Sequence, residues 1–243
     1  MESNIQFPPL KPNVVLGVAA HPDDLDFGSA ATMAKFAAEG ADVFYLLLTD
    51  GSKGSNDMGL TSSELISIRQ EEQKAALLAL GGKGITFLDF VDAELELSLE
   101  LKKLVVAEIR KVKPDVVITM DPTLIYSEKR GIINHPDHRA AGQATLDAVY
   151  PLARDHLAFP DLYSEGLKPH KVSTVLLNNF DRANFYIDVS STIEKKWQAL
   201  KCHASQIEDF AAMKKRFSEL ARTAGKQGGY QYAEGFIRLD LAL

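Results

Sequence analysis

Hydrophobic and polar positions along this chain alternate between two periods, short apolar runs of strand length and longer segments with apolar residues every third or fourth place. Val14 to Val18 is an unbroken apolar, β-branched run that predicts a buried strand. Gly28 to Glu39 follows with Met33, Phe36 and Ala37 at helical spacing, closed by Gly40. Asp42 to Thr49 predicts the next strand, which makes a βαβ unit. Thr61-Ser62-Ser63-Glu64 has the form of a capping box and starts a helix expected to reach Leu80 and stop at Gly81-Gly82. Ile85 to Phe90 reads as a strand, Leu97 to Lys111 as an amphipathic helix, and Val116 to Met120 as another strand. Pro136 suits the first turn of a helix running to about Val149.

Beyond residue 150 the rhythm changes. Pro151, Pro160 and Pro169 punctuate a loop-rich stretch, followed by short strands at Val172 to Leu177 and Phe185 to Val189. Helices are expected through Ile193, Trp197 and Leu200, and from Phe210 to Ala224. The final Tyr230-to-Leu239 run reads as a turn and an edge strand. Residues 1–12, with Pro8, Pro9 and Pro12, read as an irregular arm. Strands alternating with helices define an α/β fold: a Rossmann-like, mostly parallel sheet flanked by helices on both faces, with a loop-rich C-terminal extension. At 243 residues, 46% of them hydrophobic, the chain has material for one sizeable core, and 1–243 is expected to be a single domain.

Charge narrows the partners. A net charge of −6 argues against a surface for nucleic acid or anionic membranes, because phosphate binding needs clustered Lys and Arg. No run approaches the about 18 apolar residues of a membrane span, and the N-terminus lacks the pattern of a signal peptide, so a cytoplasmic location is expected. The one cysteine, Cys202, excludes an internal disulfide framework.

The chemistry concentrates where strands stop. The first apolar run ends at His21-Pro22-Asp23-Asp24-Leu25-Asp26, and the strand ending at Met120 leads through a long loop to Asn134-His135-Pro136-Asp137-His138-Arg139. In open parallel sheets ligands bind in the crevice outside the carboxyl ends of the strands, so the two clusters are expected to share a site. His21, Asp24 and His138 make a two-His, one-carboxylate set, the ligand count of a catalytic zinc with one position open. Asp23 and Asp24 project in different directions if the chain is extended through Pro22, so one can bind metal while the other faces water. His135 and His138, three apart at a helix start, can face the same side.

Ala20-His21-Pro22-Asp23-Asp24 followed by His135-Pro136-Asp137-His138 resembles the LmbE/PIG-L superfamily of zinc-dependent deacetylases, which remove acetyl groups from N-acetylglucosamine-type substrates. Thr49-Asp50-Gly51, Arg69-Gln70-Glu71-Glu72, His203-Ala204-Ser205-Gln206 and Tyr232-Ala233-Glu234-Gly235-Phe236 extend the resemblance over residues 14–238. It implies an amino-sugar substrate, Asp23 as general base, His135 stabilising the oxyanion, Asp137 orienting His135, and a homo-oligomer. Arg69, which by its place in a helix reads as a solvated surface group, becomes a substrate- or carboxylate-orienting residue. Zinc is the expected metal, with Fe²⁺ the alternative because His and carboxylate ligands suit both. The family often has Glu where Asp26 stands, and His203 reads equally as a wall of the site or an ordinary helix end.

Two other classes share these features. A hydrolase of another amide or ester could use the same centre, although phosphoesterases with two metals need more ligands than these motifs offer. A non-catalytic sugar- or nucleotide-binding module is the third reading, but no Gly-x-Gly-x-x-Gly follows the first strand.

Overall fold

A computed structural model describes residues 7–242. The apolar run forms β1 (Val14–Ala19), and α1 (Asp24–Ala38) leads to β2 (Asp42–Thr49). Then come α2 (Ser62–Leu80), β3 (Gly84–Phe90), α3 (Leu99–Val112) and β4 (Val116–Met120). A small hairpin, β5 (Tyr126–Ser127) with β6 (Ile132–Ile133), precedes α4 (Pro136–Asp147). The remainder holds the short α5 (Pro160–Ser164), β7 (Thr174–Asn178), β8 (Phe185–Asp188), α6 (Ile193–Cys202), α7 (Phe210–Gly228) and β9 (Ala233–Asp240). Of the irregular arm expected at 1–12, residues 7–12 are without helix or strand, and the rest lies outside the described residues.

Seven strands form one sheet in the order β3-β2-β1-β4-β7-β9-β8. The first five are parallel, and β9 runs antiparallel to both β7 and β8. The chain builds outward from β1 to β3 on one side, then returns to place β4 on the other side of β1. That reversal opens a crevice at the carboxyl ends of β1 and β4, the strands that precede the two His/Asp motifs.

Period-two alternation sorts the strand residues between two cores. Val15, Val43, Tyr45, Leu47 and Ile118 face α1, α2, α6 and α7, while Leu16, Val18, Leu46, Leu48 and Val117 face α3 and α4. Helices on both faces are thus a consequence of strands that are apolar at every position. The capping box forms as expected, with Thr61 and Glu64 each bonding the other's backbone N–H. Gly81 ends that helix at φ 85°.

Two elements depart from the pattern reading. Helix α1 begins at Asp24 rather than Gly28, because the acidic residues Asp24 and Asp26 form a favourable first turn against the helix dipole. The last strand is not an edge: β9 lies between β7 and β8, which is itself at the edge. Its polar residues Glu234 and Arg238 look solvent-facing but are buried and paired.

Glu234 has an unusual role. Its carboxylate accepts from the backbone N–H of Ala31 (3.3 Å) and Thr32 (2.7 Å) in the middle of α1. Lys196 Nζ lies 2.6 Å from the same carboxylate and donates to Phe27 O at 2.8 Å. A buried ion pair from α6 and β9 therefore reaches into the hydrogen-bond ladder of α1. No helix among the described residues is long and apolar enough to cross a membrane.

Candidate metal centre

The site grows out of the turn between β1 and α1. Thr49, at the end of β2, ties Ala20 O by both its N–H (2.8 Å) and its hydroxyl (2.9 Å), fixing where the strand stops. His21 N–H donates to Asp24 Oδ2 at 2.8 Å, so the Asp24 carboxylate folds back over the turn. There it lies between two imidazoles, Oδ2 3.4 Å from His21 Nδ1 and Oδ1 3.0 Å from His138 Nε2. Just before Asp24, Asp23 adopts φ 90°, ψ −30°, a conformation that non-glycine residues seldom occupy. Its carboxylate consequently turns away from Asp24 toward Arg69 Nη2, 3.5 Å distant.

The second motif arrives on α4. Gly142 permits this helix to lie against the end of β4: a Cβ there would stand 2.4 Å from Met120 O. His135 is the N-cap of α4 and His138 is in its first turn, so both rings face the crevice. Ring centroids of His21 lie 4.7 Å from His135 and 5.3 Å from His138. Nitrogen atoms of the three histidines lie within 4.8 Å of one another, close enough to share one ion.

Outer contacts hold the ring nitrogens. His21 Nε2 is 3.0 Å from Asp92 Oδ1 and 3.1 Å from Asp137 Oδ2, which turns Nδ1 toward Asp24. His138 Nδ1 is 3.0 Å from Asn134 Oδ1, which turns Nε2 to the Asp24 carboxylate. A carboxylate or amide oxygen on the far nitrogen is the usual support of a metal-ligating histidine. His21 Nδ1 and His138 Nε2 thus both turn toward Asp24, while two groups, His21/His135/His138 and His21/Asp92/Asp137, bring donor atoms close enough together to hold a metal ion.

Electrostatics agree with a cation here. Burial works against a charge on His21, yet Asp24, Asp137 and Asp92 together push its pKa up to about 12. Burial likewise opposes the Asp24 carboxylate, but His138 and His21 hold it well below the usual range. A cluster that would retain a proton so strongly favours any positive charge placed among its carboxylates. Asp23 moves the other way: burial and the adjacent Asp24 push it up to about 7, against the pull of Arg69.

Several residues fall where the sequence did not place them. Asp137, expected to orient His135, gives its carboxylate to His21 and to the backbone N–H groups of Ala93 (2.8 Å) and Leu95 (3.3 Å). It also faces His135, donating its own N–H to Nδ1 at 3.2 Å and placing Oδ1 3.9 Å from the same nitrogen. Burial with the neighbouring His21 lowers the His135 pKa. Arg69 is no surface group: only 4% exposed, it donates to Gly51 O (3.0 Å) and Pro22 O (2.8 Å). The 51–54 loop wraps its guanidinium, and a Cβ at Gly54 would stand 2.6 Å from Nη1.

His203 and Asp26 sit behind the site, bonded to each other at 2.8 Å. Asp92, two residues past β3, is a participant that sequence reasoning missed, because a lone Asp after a strand is an ordinary turn residue. Replacing it tests its hold on the His21 ring. If the cluster binds metal, Asp92→Ala is expected to weaken the binding of added zinc by about 10–100-fold, measured by chelator competition. Unchanged affinity would mean that Asp137 alone orients the His21 ring.

Fold and clustered side chains together define a Rossmann-like α/β protein with a His/Asp group able to bind a metal ion at the sheet's switch point. Residues 16–149 match the family model described as PIG-L: GlcNAc-PI de-N-acetylase, and the chain belongs to this family. It is 37% identical over 223 residues to diacetylchitobiose deacetylase of Thermococcus kodakarensis, covering 91% of this chain and 81% of that one. Identity to a probable N-acetyl-alpha-D-glucosaminyl L-malate deacetylase 2 of Bacillus anthracis is 29%, over 79% and 80% of the two chains. Among solved structures, N,N'-diacetylchitobiose deacetylase from Pyrococcus horikoshii superposes with a TM-score of 0.86 at 30% identity, covering 94% of this chain and 84% of that chain.

Proposed function

We propose that this protein is a metal-dependent N-deacetylase that hydrolyses the acetamide of an N-acetylglucosamine-type sugar. The observation that carries the reading is the Asp24 carboxylate set between His21 Nδ1 and His138 Nε2, with Asp23 turned to the other side. Family membership and the diacetylchitobiose and GlcNAc-malate deacetylases among its relatives supply the substrate class.

His21, Asp24 and His138 would hold zinc or ferrous iron, which supplies Lewis acidity and a water acidic enough to lose a proton near neutral pH. Asp23 accepts that proton as the water attacks the acetamide carbon. Its high pKa, set by burial and Asp24, suits a base that must also give the proton up. His135 donates from Nε2 to the carbonyl oxygen as negative charge builds there. Asp23 then returns its proton to the departing nitrogen, and acetate and a free amino sugar remain. Arg69, held by Pro22 O and Gly51 O, keeps the Asp23 carboxylate turned toward the reacting water.

The test is acetate release from a panel of N-acetylglucosamine conjugates, including a chitin disaccharide and a GlcNAc-malate glycoside, by metal-stripped protein with and without one equivalent of zinc. Zinc-dependent release is expected, strongest with the disaccharide. No release from any conjugate by protein shown to carry metal would overturn the acetamide reading.

A further inference from the structure

Asp23 holds a backbone conformation that is strained for a non-glycine residue, and something in the surrounding structure must enforce it. Its C=O makes ordinary helical bonds to Asp26 N (2.9 Å) and Phe27 N (3.1 Å). Its N–H does not: it donates to Gln73 Oε1 at 2.7 Å, the side chain of a residue fifty positions away.

Gln73 is completely buried on α2, one turn beyond Arg69. Its amide cannot rotate freely, because Nε2 donates to Asp26 Oδ2 at 2.8 Å. Asp26, also without solvent exposure, is gripped in turn by Tyr45 Oη at 3.2 Å and His203 Nε2 at 2.8 Å. Side chains from β2, α2 and the end of α6 thus converge, through one amide, on a single peptide N–H. None of these groups touches the His21, Asp24 and His138 donor atoms, so the mechanism above has no use for them.

We infer that Gln73 is a positioning residue, whose Oε1 holds the Asp23 peptide at positive φ and so turns the Asp23 carboxylate away from the metal ligands and toward the water it must deprotonate. The inference rests on the reading of Asp23 as base only where activity is concerned; the backbone effect stands without it.

Gln73→Met keeps length and burial but offers no acceptor of comparable strength. It is expected to lower kcat about 10–100-fold with KM and zinc content within about twofold of the parent, and a crystal structure should show Asp23 relaxed to negative φ. Val106→Ala, in the core on the opposite face of the sheet, serves as a control that lowers Tm without moving kcat. A Gln73→Met protein with parental kcat and Asp23 still at positive φ would overturn the inference.

A second pair of variants decides the matter even if Gln73→Met does not fold. At φ 90° glycine is at ease and alanine is not, so Asp23→Gly should exceed Asp23→Ala in Tm by about 2–5 °C. Equal or reversed Tm values would show that the backbone is free to relax, and the inference fails. Failure of Asp23 as the base would appear separately, as full turnover in Asp23→Asn.

Discussion

Replacing Asp23 by Asn is expected to lower kcat by about 10²–10⁴-fold while zinc content stays at the parental level. The change is nearly isosteric, and Asn tolerates positive φ better than most residues, so the turn between β1 and α1 should survive. Arg69 still has Pro22 O and Gly51 O to hold, which keeps its guanidinium in place. What disappears is the carboxylate proposed to take a proton from water and hand it to the leaving nitrogen. The experiment pairs steady-state acetate release with metal analysis on the same sample. Near-parental turnover at full metal content would remove Asp23 from the mechanism.

His138→Ala should act on the metal itself. The substitution deletes a donor atom and strands Asp24 Oδ1, which has His138 Nε2 at 3.0 Å as its partner. Losing an outer support of a ligand costs about 10–100-fold in affinity, and losing the ligand should cost more. Zinc is therefore expected to be lost on gel filtration, with activity abolished at one equivalent of added metal. His135→Ala provides the contrast, since all three imidazoles lie close enough to share an ion. If His135 is the oxyanion donor, its removal should spare metal content and reduce kcat. If it is a ligand, both variants will lose metal, and full occupancy in His138→Ala would refute the donor set built on Asp24.

Much of the architecture was legible because its determinants are local. Strands buried on both faces betray themselves as continuous apolar runs, and the capping box at Thr61 announces its helix in four residues. The meeting of the two motifs was legible in the same sense: His21 and Asp24, or His135 and His138, are neighbours in sequence, and the long-range step was to join two motifs that each follow a strand. What stayed hidden depends on packing between distant segments. Arg69 lies in a helix whose outer face is charged, and only the approach of Gly51 and Pro22 buries it. Asp92 and Gln73 are polar residues with no motif around them, whose partners are 71 and 50 positions away (Asp92 to His21, Gln73 to Asp23). The last strand was misplaced for a related reason. Glu234 and Arg238 mimic the polar face of an edge, whereas inside the fold each has an ionic partner.

The ion pair of Lys196 and Glu234 ties the start of the chain to its end. All residues of the donor set lie before position 139, and the family pattern spans only 16–149. Yet the helix that carries Asp24 has amide and carbonyl groups that find their partners on residues 234 and 196. A chain cut before residue 196 would contain every residue of the proposed donor set and still lack the clasp on the helix that carries Asp24. The setting of that helix therefore depends on the inner strand at the far end of the chain, beyond the segment that the family pattern covers.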